Sequence, residues 1–194
     1  HKAAFLFKYN KSIQSILFVC FNITLVNYIR RLLSEKGVPF GGKGVQVKPF
    51  YELCAEIIGE TIDNENPDTG YYETAVDLAL EKIETCGMQF DAVLVDEGQD
   101  FSDRMFKILT SLVNPATNNL TIALDENQSL YQNRSSWKNM GVNARGRVHH
   151  INYVYRNTSE ISNFANQFID FSQNQDADND PQIRLFPDFL GTFL

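Results

Sequence analysis

The sequence predicts an α/β fold, a mostly parallel β-sheet with helices on both faces. Short apolar runs alternate with amphipathic helical patterns along the chain, which is typical of βαβ units. The run Ala92–Val95 is entirely apolar, as in strands buried on both faces. Polar and acidic residues follow two of the runs, beginning at Asp96 and at Asp125, and ligands of parallel sheets bind at such strand ends.

The boundaries of the elements follow from hydrophobic periodicity and from the turn residues between the runs. The expected strands are Ser15–Cys20, Val45–Lys48, Ala92–Asp96, Leu120–Leu124 and Val148–Asn152. The expected helices are Lys2–Tyr9, Leu25–Lys36, Phe50–Ile62, Tyr71–Cys86, Phe101–Val113 and Ser159–Phe171. Ser172–Pro181 is polar and acidic, so we expect one domain over residues 1–171 and a linker at the start of residues 172–194.

The composition is that of a soluble globular protein. Hydrophobic residues make up 43% of the chain and charged residues 21%, and no run approaches the roughly 20 apolar residues of a membrane span. No stretch has the pattern of a signal peptide. The three cysteines, Cys20, Cys54 and Cys86, lie far apart without metal-ligand spacing. We therefore expect a cytoplasmic protein with reduced thiols and no membrane partner.

The net charge of −7 is distributed unevenly. Residues 1–50 contain eight Lys or Arg and one acidic residue, whereas residues 51–100 contain one Lys and fourteen acidic residues. A cationic face for nucleic acid can therefore coexist with the acidic total. Charge alone leaves ordinary solvated helix faces as an equally good interpretation.

The most informative run is Asp96-Glu-Gly-Gln-Asp100, directly after the apolar strand. Adjacent side chains leave a strand end in different directions, so Asp96 can hold a metal ion while Glu97 faces a water molecule. Hydrolysis of a nucleoside triphosphate needs this division of labour. The alternative is an acidic turn in which Asp100 or Ser102 caps the next helix.

Two further runs place polar groups near helix or strand ends. Gln128 and Tyr131 follow the strand Leu120–Leu124, whose carboxyl end faces the same crevice in a parallel sheet. Arg156 precedes a helix start and carries a guanidinium suited to phosphate. Taken singly, each has a structural explanation: a capped turn for the first run and a surface ion pair for Arg156.

Together these runs resemble the first motor domain of superfamily-one DNA helicases of the UvrD/Rep type. Asp96–Asp100 resembles the Walker B motif, Asp125–Tyr131 the third motif and Tyr155–Thr158 the fourth motif of that family. Ile16–Leu25 resembles motif Ia, and the resemblance covers residues 15 to 171. It implies a RecA-like P-loop NTPase fold, ATP and Mg²⁺ as cofactors, and single-stranded DNA or duplex/single-strand junctions as partners.

The resemblance also implies catalytic roles. Asp96 would coordinate Mg²⁺, and Glu97 would orient or deprotonate the attacking water. Gln128 would sense the γ-phosphate, and Arg156 would act as an arginine finger. Gln99 and Asp100 join Asp96 in the implied nucleotide site.

Four residues are candidates for the single-stranded DNA track because aromatic side chains stack on bases without regard to sequence. They are Phe21, Asn22, Tyr131 and Trp137. The spacing between Tyr131 and Trp137 departs from the family pattern, and a lone tryptophan is more often part of a core.

The phosphate loop of the family does not occur within the 194 residues. Gly37–Gly44 is a near miss, but it follows a helix, leads into a strand and has Gly44 where a hydroxyl residue is required. We therefore expect that loop upstream of His1, with Lys2–Tyr9 as the remainder of its helix. Residues 172–194 would then be the linker and the start of a second motor domain, the rest of which would follow Leu194.

Several interpretations stay open at this point. The chain could be a piece of a DNA helicase or translocase, inactive alone. It could instead be a degenerate RecA-like module that binds nucleic acid or protein without hydrolysis, or a metal-dependent nuclease built on Asp96, Glu97 and Asp100. Without the phosphate-loop strand, the sheet is expected to have a gap or an exposed edge that permits self-association.

Overall fold

The computed structural model describes residues 1–60, 69–125, 137, 140–142, 144, 146–149, 160–161 and 164. The chain divides into two compact units, residues 1–144 and residues 145–194. The first contains the helices α1 (Lys2–Tyr9), α2 (Ile23–Glu35), α3 (Phe50–Ile58), α4 (Thr69–Lys82) and α5 (Asp103–Ser111). Its strands are β1 (Ile16–Cys20), β2 (Val45–Pro49), β3 (Ala92–Val95) and β4 (Leu120–Ile122). None of the described helices is both long and apolar enough to cross a membrane.

The four described strands form one parallel sheet in the order β2-β1-β3-β4. Ile16 of β1 is in register with Val45 of β2 on one side and with Ala92 of β3 on the other. Since all strands run in the same direction, their carboxyl ends meet at one edge of the sheet. The predicted α/β fold is confirmed.

Helices cover both faces of this sheet. One core contains Leu17, Val19, Val93 and Val95 from the strands together with buried residues of α3, α4 and α5. The other contains Ile16, Cys20, Ala92 and Leu94, together with buried residues of α1 and α2. Neighbouring residues of a strand point to opposite faces, so an uninterrupted apolar run such as β3 is what a sheet with two covers requires.

The expected gap in the sheet is absent among the described strands, because β1 pairs directly with β3. The outermost described strands are β2 and β4, and all three residues of β4 are half-buried. If the sheet has an exposed edge, as expected from the sequence, that edge would be at β2 or β4. Self-association through such an edge stays a prediction.

Several element ends differ from the expected ones for local reasons. Helix α3 stops at Ile58 because Gly59 adopts a left-handed conformation (φ 80°) that ends the helix. Helix α2 starts two residues early, at Ile23, since Asn22 caps it. Of the expected strand Val148–Asn152, Val148 and His149 are described and lie outside regular structure, and the remainder lies outside the described residues.

The glycine-rich segment before β2 is a turn, as its sequence context predicts. It joins α2 to β2, whereas a phosphate loop joins a strand to a helix. The Val45 N–H donates to the Pro39 carbonyl oxygen (2.9 Å) across the turn. A Cβ atom on Gly44 would lie 2.4 Å from that oxygen, so only glycine fits there.

Asp91 fixes the amino-terminal end of the sheet. Its carboxylate accepts hydrogen bonds from the backbone N–H groups of Gln14 (2.8 Å) and Ser15 (3.0 Å) and from the side-chain amide of Asn114 (3.1 Å). Burial raises the pKa of Asp91, but these hydrogen bonds outweigh burial and leave the pKa below its ordinary value.

We expect Asp91→Ala to lower the free energy of unfolding at pH 7 by about 1–3 kcal/mol, because three donors lose a charged acceptor. The lowered pKa means that this stabilisation is present above the unfolded-state pKa of about 3.8 and is lost as the pH falls through the folded-state value. Urea unfolding of both proteins at pH 7 and pH 3 checks this, and the difference should shrink at pH 3. Glu81→Ala, at an exposed site in α4, is the control. Equal stability of Asp91→Ala and wild type at pH 7 would contradict the role.

Candidate active site

Two carboxylates stand at the carboxyl end of β3. The Asp96 N–H donates to the Val19 carbonyl oxygen of β1 (3.0 Å), so the sheet ladder holds the backbone of Asp96. Asp96 is half-buried, whereas Glu97 is exposed. Adjacent residues of the same chemical type therefore occupy different environments, and only the second reaches solvent freely.

The environment of Asp96 disfavours its negative charge. Burial raises the pKa of Asp96, the hydrogen bond from the Glu97 N–H lowers it, and the nearby Glu97 charge raises it, so that it lies above its ordinary value. The Glu97 N–H bonds Oδ1 of Asp96 at 3.1 Å. A cation beside Asp96 would offset both the cost of burying the Asp96 charge and its repulsion by Glu97.

The donor set fits Mg²⁺ held mainly by its substrate. In the described part of the chain, no three His, Cys, Asp or Glu side chains converge on a common metal site. Proteins usually hold Mg²⁺ through one or two carboxylates, with phosphate oxygens and water completing the octahedron. Asp96, at the edge where the carboxyl ends of the strands meet, suits that mode.

Glu97 has an uncommon backbone conformation. Its φ of 53° and ψ of 45° lie in the left-handed region, which costs a residue with a side chain about 1 kcal/mol or more. This left-handed conformation turns the chain abruptly between β3 and the 3-10 helix Gly98–Asp100. Strain of this kind is commonly retained where it orients a functional side chain.

Gln99 and Asp100, the last two residues of the acidic run, lie in the turn after Glu97 and bond to it. The Gln99 side chain donates from Nε2 to Oε2 of Glu97 (2.6 Å) and accepts from the Asp125 N–H at Oε1 (3.0 Å). Asp100 is exposed, and its N–H donates to the Glu97 carbonyl oxygen (2.9 Å). Ser102, one of the two expected caps, accepts from the Met105 N–H and begins α5.

Cys20 lies next to the two carboxylates, and sequence reasoning did not assign it to the site. It is buried at the end of β1, where its Sγ donates to the Asn22 carbonyl oxygen (3.6 Å). Burial and the negative charge of Asp96 raise the pKa of Cys20 to about 11, so the thiol is neutral. Its position one strand away from Asp96 was the only signal that could have identified it.

Phe21 and Asn22 follow β1 at the same edge of the sheet. Phe21 is half-buried, with its ring centroid 4.7 Å from that of Phe101 and 5.9 Å from that of Phe50. The Asn22 side-chain oxygen accepts from the N–H groups of Thr24 (2.8 Å) and Leu25 (3.2 Å), which makes Asn22 the N-cap of α2. Both residues therefore have structural roles, and their contact with DNA stays a prediction.

The other predicted site residues are not brought to this edge by any described contact. Trp137 is half-buried and packs on the core beside α5, its ring centroid 5.6 Å from that of Phe106. Gln128, Tyr131 and Arg156 lie outside the described residues. Their roles stay predictions.

Comparison with known protein families agrees with the geometry. The family described as the UvrD/REP helicase N-terminal domain matches residues 48–145, about half of the chain, including β3, its carboxylates and β4. No curated protein and no solved structure matches the chain. With half of its length matched, the chain belongs to the UvrD/REP helicase N-terminal domain family.

Proposed function

We propose that the protein is an ATP-dependent DNA helicase or translocase that couples hydrolysis of Mg-ATP to movement on single-stranded DNA. Its membership of the UvrD/REP family supports this proposal. The observation that carries it is the contrast between two adjacent carboxylates: a half-buried Asp96 with a raised pKa and an exposed Glu97 on a strained turn. Such a pair can serve a cation and a water molecule at once.

In this mechanism Asp96 would be the residue that holds Mg²⁺. The ion, when bound, would neutralise charge on the phosphates. Glu97 orients the attacking water and accepts its proton as the water oxygen bonds to the γ-phosphorus. The bond from that phosphorus to the β,γ-bridging oxygen breaks, and ADP leaves with the electron pair. Gln128 and Arg156 are proposed to contact the γ-phosphate.

The proposed partner is single-stranded DNA or its junction with a duplex. A motor needs contacts that ignore base sequence, and stacking on aromatic rings supplies about 1–3 kcal/mol per base in a sequence-tolerant way. Tyr131 and Trp137 are the proposed stacking residues. Phe21 and Asn22, at the edge of the sheet that carries Asp96, are proposed to line the same track.

ATP hydrolysis by the full-length gene product, measured with and without a single-stranded oligonucleotide, tests the proposal. We expect hydrolysis that requires Mg²⁺ and rises when DNA is added. Asp96→Asn should lower kcat/KM for Mg-ATP on the order of 100-fold or more, because a metal ligand contributes several kcal/mol. Glu84→Gln, which removes an exposed carboxylate upstream of β3, should leave the rate unchanged.

The degenerate, non-hydrolysing module is the alternative outcome of the same experiment. It predicts binding of single-stranded DNA without ATP hydrolysis in the wild type, with no response to Asp96→Asn. Hydrolysis that survives Asp96→Asn unchanged would contradict the proposed metal ligand while leaving the helicase family intact.

A further inference from the structure

Gln99 is the one polar side chain that is buried in the part of the chain that the structure describes, with 7% of its surface exposed. Both ends of its amide are used: Nε2 donates to the Glu97 carboxylate at 2.6 Å, and Oε1 accepts from the Asp125 N–H at 3.0 Å. Buried polar groups are retained where each atom finds a partner, and Gln99 meets that condition.

The primary amide of Gln99 serves both partners, because its nitrogen donates and its oxygen accepts. The carboxylate of Glu97 needs a donor, and the backbone N–H of Asp125 needs an acceptor. A glutamate at position 99 would supply the acceptor but would place a second negative charge against Glu97. A methionine would fill a similar volume, but it has no donor for Glu97 and offers the Asp125 N–H only a weak sulfur acceptor.

The turn that carries Gln99 is docked on the end of β4 by its backbone as well. The Gly98 N–H donates to the Ala123 carbonyl oxygen (2.8 Å), and the Ala123 N–H donates to the Val95 carbonyl oxygen (2.8 Å). A Cβ atom on Gly98 would lie 2.7 Å from Ile122 Cγ2 and 3.1 Å from the Ala123 oxygen. The missing side chain therefore allows the two backbones to approach this closely.

We propose that Gln99 is a positioning residue that ties the orientation of the Glu97 carboxylate to the position of the segment after β4. Glu97 is exposed, so the hydrogen bond to Gln99 is the described contact that limits its rotamers. Movement of Asp125 would pull on the Gln99 amide and rotate the carboxylate toward or away from the water. The inference rests on the proposed function of Glu97 and adds a route by which the chain beyond β4 controls it.

The test uses Gln99→Met and Gln99→Glu in the full-length gene product, with steady-state ATP hydrolysis measured with and without single-stranded DNA. Gln99→Met removes the hydrogen bond to Glu97 and weakens the one from Asp125, and we expect kcat to fall about 10- to 100-fold while KM for ATP stays within about twofold. Stimulation by DNA should fall with it, because the carboxylate no longer follows the segment after β4. Gln99→Glu keeps the acceptor for Asp125 and should lose kcat to the same extent.

The outcomes separate this inference from the proposed function. A wild type without ATP hydrolysis overturns both. Active wild type, with kcat and DNA stimulation unchanged in either folded variant, overturns the positioning role alone. A merely structural role would lower Tm while leaving kcat per folded molecule and the stimulation ratio unchanged, which also overturns it. If Gln99→Met fails to fold, Gln99→Glu decides by the same two readouts.

Discussion

Replacing Glu97 by glutamine is expected to abolish ATP hydrolysis while ATP binding is retained. Glutamine has nearly the same shape, and its Oε1 can accept the same hydrogen bond from Gln99 that Oε2 of Glu97 accepts at 2.6 Å. The substitution therefore removes the proposed proton acceptor and leaves the turn in place. Loss of a general base typically costs 10²- to 10⁴-fold, so we expect kcat to fall by about 10³-fold.

The measurement pairs single-turnover hydrolysis with equilibrium binding of a fluorescent ATP analogue to the full-length gene product. The dissociation constant should stay within about threefold of wild type, because Glu97 is proposed to act on water and not on the nucleotide. Glu97→Asp provides the matched comparison, since it keeps the charge but shortens the side chain by one methylene. A Glu97→Gln enzyme that hydrolyses ATP within tenfold of the wild-type rate would show that another group is the base.

The left-handed backbone of Glu97 gives this experiment an internal check. Glutamine at φ 53° bears the same strain as glutamate, so Glu97→Gln should leave the free energy of unfolding nearly unchanged. Glu97→Gly relieves the strain but removes the acceptor of the buried Gln99 Nε2, so its stability reflects both effects, and Glu97→Gln is the cleaner comparison. Loss of activity without loss of stability would then point to chemistry as the affected property.

Sequence periodicity was sufficient for the fold because each strand of this sheet carries its own signal. β3 reads as an uninterrupted apolar run since α1 and α2 cover one face and α3, α4 and α5 the other. The run is only four residues long and rich in valine, which favours a strand buried on both faces over a segment of a buried helix. The alternation of such runs with helical patterns then leaves little choice besides a parallel sheet.

The ends of elements were predicted less well than the elements, because local caps and, at β4, a distant contact decide them. The strand expected over Leu120–Leu124 stops at Ile122, and the carbonyl oxygen of Ala123 accepts from the Gly98 N–H. The helix expected from Phe101 begins at Asp103, since Gly98–Asp100 forms its own short helix and Ser102 caps α5. The first difference accompanies a contact between distant segments, which no local pattern contains, whereas the second follows from the local cap at Ser102.

The same limit applies to the site. The acidic run identified Asp96 and Glu97 because two charges after an apolar strand are unusual. The neutral thiol of Cys20 and the two-sided hydrogen bonding of Gln99 carry no local signal, since each depends on a partner in another strand or turn. Asn22 and Phe21 were predicted as DNA contacts, and the structure adds a helix cap and a ring cluster to the roles they have.

The second large effect is a loss of stability, expected from Phe101→Ala. Phe101 lies in the core next to the turn Gly98–Asp100. Phe101 is fully buried, and its ring centroid lies 4.7 Å from that of Phe21, 5.4 Å from that of Phe50 and 5.8 Å from that of Phe106. Truncating a buried phenylalanine leaves a cavity that the neighbours fill only partly, which costs about 3–5 kcal/mol. Against a typical domain stability of about 5–15 kcal/mol, that loss removes a large share of the free energy of unfolding.

Urea unfolding of the 194-residue chain, followed by the fluorescence of its single Trp137, measures this effect. The ring of Trp137 packs 5.6 Å from that of Phe106, so its emission reports on the core that Phe101 fills. Phe5→Ala, at a side chain that is 62% exposed on α1, is the matched control and should cost less than about 1 kcal/mol. Equal midpoints for Phe101→Ala and Phe5→Ala would contradict the packing.

Phe101 also joins this core to the turn Gly98–Asp100, because its N–H donates to the Gly98 carbonyl oxygen at 3.3 Å. Phe101→Leu keeps an apolar side chain and should cost only about 1–2 kcal/mol, leaving a folded protein. If the core holds the turn in place, Phe101→Leu should lower kcat markedly while Tm falls only slightly. A small displacement of Glu97 is enough to misplace the water that Glu97 is proposed to orient, whereas it hardly changes global stability. A Phe101→Leu protein with wild-type kcat and a lowered Tm would instead show that the β4 contacts of Gly98 and Gln99 hold the turn by themselves.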